Sequence, residues 1–299
     1  MTEVEVKEIT LTNDVVSRAA EFIEYNAKWP FPVIPPNVCK GKSVVICGAG
    51  PSLEHPDALG AIKHMRDIKG HVWGCNAALP WLKRNNKYVT HGVAVDGTLG
   101  MLDVWATAYK MKYLLSSSVN PKLIAHLVEH GVRQVAFFHN YQGTCGKVEF
   151  QLYEELWKPS VITGEGLNVV NRVLRLAEYM GYRKIFVAGA DCGLGIDESA
   201  FHVGGTTREN LGLDKLYGKS QPELEDAIGR RWITTPDMAM SAIDLVKAKR
   251  QYGQRLILLG DTVPARLCGQ SDEFLDRIIR WKKPEECCDN PRSPRCDVQ

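Results

Sequence analysis

Glycine, serine, asparagine and aspartate collect at four places in this chain, each directly after an apolar run, and those places are where chemistry is to be sought. Gly48-Ala-Gly-Pro-Ser52 follows Ser43–Cys47, Asn76 follows His71–Cys75, Asp96-Gly97-Thr98 follows Tyr88–Val95, and Asp191 follows Lys184–Ala190. Glycines in such a turn let backbone amides approach a phosphate closely, so Gly48, Gly50, Pro51 and Ser52 read as a nucleotide-binding turn. The alternative is a glycine turn that only reverses the chain. The turn lacks both the third glycine of the dinucleotide fingerprint and the Gly-Lys-Ser/Thr ending of a P-loop. Asp96 and Asp191 are the carboxylates for a divalent metal bridging a diphosphate. Mg²⁺ takes one or two carboxylates together with phosphate oxygens and keeps its waters. The bland alternative is that each aspartate caps the turn or helix after it.

Proton transfer needs a group that titrates near neutral pH, and His202 in Ala200-Phe-His-Val-Gly-Gly205 is the candidate base, with Asp191 beside it in the catalytic assignment. A surface histidine without a role is the competing reading. His202 sits in the stretch Cys192–Gly218, which holds six glycines and no sustained periodicity. A long irregular segment inside a compact domain is commonly a functional loop. Arg208, Lys215, Lys219, Arg230 and Arg231 follow and would clamp an anionic substrate, although most such charges are merely solvated. There is no G-x-S-x-G elbow, no H-E-x-x-H helix and no paired C-x-x-C set, which argues against hydrolase and zinc chemistry.

The elements that must position these residues follow from periodicity. Short β-rich runs are expected as strands at 43–47, 71–76, 88–95, 112–116, 133–139, 184–189 and 255–259, separated by amphipathic stretches expected as helices at 57–65, 77–83, 105–111, 121–130, 167–180, 238–252 and 272–281. Residues 149–157 read equally as a helix or an irregular excursion. Alternation of this kind predicts an α/β, Rossmann-like, mainly parallel sheet of six or seven strands with helices on both faces. Residues 1–40 form an expected N-terminal helical arm ended by Pro30, Pro32, Pro35 and Pro36. Residues 41–283 make the main domain, and 284–299 a flexible tail rich in Cys and Pro.

Composition bounds the function. With 299 residues, 44% hydrophobic and 24% charged, the chain can build a substantial core. A net charge of +2 is too small to argue by itself for a nucleic-acid partner. No apolar run reaches the roughly 18 residues of a membrane span and no leader pattern opens the chain, so a cytoplasmic protein is expected. Of nine cysteines, Cys39, Cys47, Cys75, Cys145, Cys192 and Cys268 are scattered singly and read as reduced thiols.

Gly48-Ala-Gly-Pro-Ser-Leu53, the Asp96-Gly97 exit and the run from Gly164 through Ala177, Gly181 and Ile185 to Gly189-Ala190-Asp191 together resemble the MptE-like (DUF115) proteins. That group includes 6-hydroxymethylpterin diphosphokinases and the motility accessory factors of flagellin glycosylation, and is similar in layout to bacterial family 42 sialyltransferases. The resemblance spans residues 41–259. It implies a Rossmann-like transferase that binds a nucleotide-activated donor, an NDP- or CMP-sugar or ATP, over the Gly48–Ser52 turn. Asn76, Asp96 and Gly164 are further expected contacts to the nucleotide. The sialyltransferases' histidine site reads Arg230-Arg-Trp-Ile-Thr-Thr235 here, and the pterin kinases' paired-acid element reads Val95-Asp96-Gly97 with one acid. The resulting expectation is glycosyl transfer from a nucleotide sugar to an unread acceptor. A pterin-type diphosphokinase stands second, and a non-catalytic nucleotide-binding module is the rival from another class.

Overall fold

The computed structural model describes residues 18–140, 146–157, 161–162, 168–195, 200–202, 206–207, 223–225, 231–234 and 236–270. Helix α1 (18–26) leads through a proline-rich strap to β1 (Ser43–Cys47), a short 3₁₀ helix (Pro51–Glu54) and α2 (Pro56–Asp67). Next come β2 (His71–Cys75), α3 (Ala78–Arg84), β3 (His91–Ala94), α4 (Gly100–Val104), β4 (Lys112–Ser116), α5 (Pro121–Glu129), β5 (Gln134–Asn140), α6 (Gly146–Trp157) and β6 (Val161–Ile162). The chain then forms α7 (Val169–Tyr179) and β7 (Lys184–Ala188), followed by the short strands β8 (Leu194–Gly195), β9 (Ala200–His202), β10 (Thr206–Thr207), β11 (Glu223–Glu225) and β12 (Arg231–Ile233). It ends in α8 (Pro236–Tyr252), β13 (Leu256–Leu258) and α9 (Val263–Leu267).

Eight strands make the main sheet in the order β13-β7-β1-β2-β3-β4-β5-β6, and every pairing in it is parallel. A parallel sheet is covered on both faces, which is why its central strands read as continuous apolar runs: all five residues of β1 are buried. Alternation then divides them. Val44 and Ile46 join the core under α7 and α8 with Val173, Leu174, Ile243 and Val246, whereas Val45 and Cys47 face Ile62, Met65 and Trp81 on the other side. The second face continues over β4 and β5, where Leu115 and Phe137 pack on Ile23, Leu123 and Leu127. Helix α7 shows the same logic from the helix side. Its stripe Val170, Val173, Leu174 and Ala177 is buried, and the Asn168 side chain caps it by accepting from Asn171 N–H at 3.0 Å.

Three expectations change. The sheet has eight strands because the two-residue β6 pairs with β5 through His139 and Asn140, and so short a strand has no period to read. No helix spans 105–111. The helix is α4, and it stops at Trp105, whose buried indole donates Nε1–H to the Asn76 carbonyl at 2.9 Å. Residues 149–157, left open, fall within α6. The segments 1–17 and 271–299, with the expected helix at 272–281 and the tail, lie outside the described residues. Among the described residues Cys39, Cys47, Cys75, Cys192 and Cys268 are free thiols, and no helix is long and apolar enough to cross a membrane.

Candidate functional site

The order β7-β1-β2-β3 sets the exits bearing Asp191, Gly48, Asn76 and Asp96 side by side on one edge of the sheet. The chain runs outward from β1 to β6 and then returns to lay β7 on the other side of β1, so the topological switch falls between β1 and β7. In open α/β sheets the ligand crevice opens at that point.

Here Gly48 and Gly189 meet backbone to backbone. A Cβ on either would overlap the carbonyl oxygen of the other, and Gly189 holds a left-handed φ of +65°. Gly48 N–H donates to Ala188 O at 2.8 Å and Gly50 N–H to Gly189 O at 2.9 Å, carrying the β1–β7 ladder beyond the strands. The Asp191 carboxylate closes the turn. It accepts from Ser52 N–H at 3.2 and 3.3 Å to its two oxygens and from Ser52 Oγ–H at 2.9 Å, and a Cβ on Gly50 would overlap its Oδ2. An anion at the first turn of a helix meets amides without intrahelical partners, which favours this placement. Gly260, at the β13 exit, completes the contact, because a Cβ there would lie 2.9 Å from Ser52 Cβ. Three exits therefore share one rigid turn.

Asn76 and Asp96 continue the edge. Asn76 adopts φ +43°, donates its N–H to Val93 O at 3.1 Å, and keeps a buried Oδ1 without a hydrogen-bond partner. Asp96 is half-buried, and its Oδ1 accepts from Thr98 N–H at 2.8 Å. β1 and β2 lie between the Asp96 and Asp191 exits, about 14 Å of sheet at the usual strand spacing. The two carboxylates thus stand on opposite sides of the β1 and β2 exits, one held by Ser52 and one by its own turn.

Short strands after β7 lie beside this edge. β12 pairs with β8, placing buried Trp232 over the β7 exit, where Thr234 Oγ–H donates to Cys192 O at 2.7 Å. Arg266 of α9 stacks on Trp232 with its guanidinium 4.6 Å from the ring centre and pairs with Asp261. β9 and β10 form an antiparallel pair, and β9, which carries His202, lies against the Pro51–Glu54 helix. Of His202 and Arg231 only the backbone is described. Gly164, Arg208, Lys215, Lys219 and Arg230 lie outside the described residues. His55 caps α2, its Nδ1 accepting from Asp57 N–H at 3.2 Å.

The exits of β4 and β5, next along the same edge, are polar as well. Gly97 packs against Ser118, where a Cβ would stand 3.0 Å from the carbonyl oxygen. Ser117 Oγ is 3.0 Å from His139 Nδ1 at the end of β5, and both residues are fully buried. Burial lowers the His139 pKa to about 4, so the ring is neutral. The signal was present: Ser116-Ser-Ser118 and His139-Asn140 each end an apolar run, as Asn76 does.

The profile of the 6-hydroxymethylpterin diphosphokinase MptE-like family matches residues 18–197. No curated protein matches the chain by sequence. Among solved structures, the MAf glycosyltransferase from Magnetospirillum magneticum AMB-1 is similar in fold, with a TM-score of 0.59 and 13% sequence identity. The likeness covers 89% of this chain and 41% of that protein, so this chain spans less than half of its length.

Proposed function

From the premise that the chain belongs to the MptE-like family, we propose that this transferase-type protein moves a glycosyl group from a nucleotide-activated sugar to an acceptor hydroxyl. The observation that carries the reading is the close-packed turn at the β1/β7 switch, where Gly48, Gly50, Pro51 and Ser52 stand against Gly189 and Asp191. The fold likeness to a glycosyltransferase supports the choice of transfer. In this reading the nucleotide lies over the turn, with Asn76, Asp96 and Gly164 as further contacts. The buried, unpartnered Asn76 Oδ1 is available to a donor on the base or ribose.

His202 is assigned as the base that takes the acceptor proton as the acceptor oxygen attacks the anomeric carbon, because β9 brings its backbone beside the turn. Asp191 sets the turn's geometry and is the second carboxylate of the site. Asp96 offers the hard oxygen that Mg²⁺ accepts, and one such carboxylate with donor phosphate oxygens is a sufficient set. The cation would supply charge compensation on the departing diphosphate. Asp96→Ala is expected to weaken Mg²⁺-dependent nucleotide binding by about 2 kcal/mol, the scale of a lost charge-assisted contact. Asp191→Ala is expected to weaken binding with or without Mg²⁺. Titration calorimetry checks both, and parent-like affinity in variants that only melt earlier would reduce these residues to turn caps.

The second reading, an ATP-dependent 6-hydroxymethylpterin-type diphosphokinase, is favoured by the family's description. Mass spectrometry of the protein purified without added ligand, followed by a screen of CMP-, UDP- and GDP-sugars against ATP, separates the readings. Turnover of one nucleotide sugar is expected. Selective pyrophosphate transfer from ATP would replace glycosyl transfer, and tight binding without consumption of any donor would mark a binding module.

A further inference from the structure

Three buried side chains around the β4 and β5 exits carry polar atoms without a partner: Asn26 Oδ1, His139 Nε2 and Asn140 Nδ2. They belong to one cluster. Asn26, at the end of α1, donates Nδ2–H to Ser117 O at 2.9 Å and Val119 O at 2.8 Å, Ser117 Oγ meets His139 Nδ1, and Asn140 follows His139 in the chain. The three residues are 0, 0 and 1% exposed. Buried polar groups are almost always satisfied, so three open valences in one neighbourhood call for a partner that no described residue supplies. The cluster has an aromatic wall, with the His139 ring 4.5 Å from Tyr153 and 5.1 Å from Trp157 between centres, and Trp157 Nε1 is a further unpartnered donor. It adjoins the site described above, because Ser118 packs under the Asp96-Gly97 turn.

We infer that this β4–β5 end of the crevice is a second binding site, built for an uncharged polyhydroxyl group such as a sugar ring, and that it takes the acceptor of the transfer; the acceptor role rests on the glycosyltransferase reading. The chemistry selects the class. The open valences are an amide acceptor, an amide donor, an indole donor and a neutral imidazole nitrogen, and no lysine, arginine, aspartate or glutamate among the described residues hydrogen-bonds to the cluster. A hydroxyl both donates and accepts, and a pyranose pairs such groups with an apolar face that stacks on aromatic rings. Among the described residues a phosphate or carboxylate would meet no countercharge here. Because the side chains are buried, binding requires the cluster to open, and slow association is expected.

Saturation-transfer NMR and calorimetry on the full chain, with glucose, galactose, N-acetylglucosamine and myo-inositol as probes and no nucleotide present, test this. At least one probe is expected to bind saturably and perturb Trp157 fluorescence. Asn140→Leu removes an unpartnered donor and leaves intact the backbone carbonyl that accepts from Tyr153 Oη–H at 3.3 Å, so it is expected to fold and to bind at least tenfold more weakly. His139→Phe keeps the ring against Tyr153 and Trp157 and is expected to lose binding likewise. Absence of binding by every probe, parent-like affinity in Asn140→Leu, or only internal water at the cluster in a high-resolution structure overturns the site. Nucleotide-sugar titration of the same variants reports on the glycine turn separately. Sugar binding without nucleotide-sugar binding would fault the donor reading and leave this site standing.

Discussion

Gly189→Ala is expected to destabilise the protein by about 2–5 kcal/mol and to abolish nucleotide binding. Two independent penalties combine there. The residue's φ of +65° is left-handed, which costs an L-residue with a Cβ roughly 1–2 kcal/mol. The new Cβ would also overlap Gly48 O, lie 2.8 Å from Gly48 C and stand 3.1 Å from Leu53 Cβ. Most of these atoms are backbone, so relief requires the β1 and β7 exits to part, and overpacking of that kind adds about 1–3 kcal/mol. Parting them breaks the Gly48-to-Ala188 and Gly50-to-Gly189 hydrogen bonds that hold the turn at the switch point. Gly60→Ala is the control. That residue is an exposed position within α2 where a Cβ meets nothing, and the change is expected to stabilise by about 0.5–1 kcal/mol. Urea titration of both variants decides the matter: a Gly189→Ala protein with parent stability and nucleotide affinity would mean that the two exits do not form the rigid turn described.

The strands that order the site were legible because each is a short, largely apolar run that leads into a glycine, asparagine or aspartate turn, and β1, β2, β3 and β7 are adjacent in the sheet. Their exits needed only the parallel arrangement to fall on one edge. What escaped detection depends on contacts distant in sequence. Trp105-Ala-Thr-Ala-Tyr109 has helical composition, yet the indole of Trp105 is drawn inward to the Asn76 carbonyl and the helix ends there. Asn26 looks like an ordinary residue before a proline-rich strap. Only the fold brings it to the carbonyls of Ser117 and Val119, more than ninety residues away. Strands of two or three residues, such as β6 and β8 to β10, are set by pairing alone, and the glycine-rich stretch read as an irregular loop contains three of them. The role of Ser52 and Asp191 as partners was hidden for the same reason, since 139 residues separate them.

Stability should fall steeply as the pH drops from about 6.5 to about 4, before most carboxylates titrate. Among the described residues three histidines hold lowered pKa values in the folded chain: His71 and His139 near 4 and His91 near 3, each chiefly through burial. His71 and His91 sit at the opposite edge of the sheet from the candidate site, their rings 4.9 Å apart, with His71 bonded to Tyr182 and with the charges of Lys42 and Lys112 further opposing protonation. In the unfolded chain the same rings titrate near the ordinary value of 6.5. Below that pH the unfolded state binds more protons than the folded state, so the folded state loses ground until the folded pKa values are reached. Full stability is therefore present above about pH 6.5. At pH 4 the loss is on the order of 3 kcal/mol for each of the well-buried rings of His91 and His139, and less for His71, which water partly reaches. Together these terms are comparable with the entire stability of an ordinary domain, about 5–15 kcal/mol. Urea midpoints measured from pH 8 to pH 4 are expected to bend downward from pH 6.5, and His91→Phe is expected to flatten the bend. A profile that stays level to pH 5 would show that the three rings protonate in the folded chain as freely as in the unfolded one.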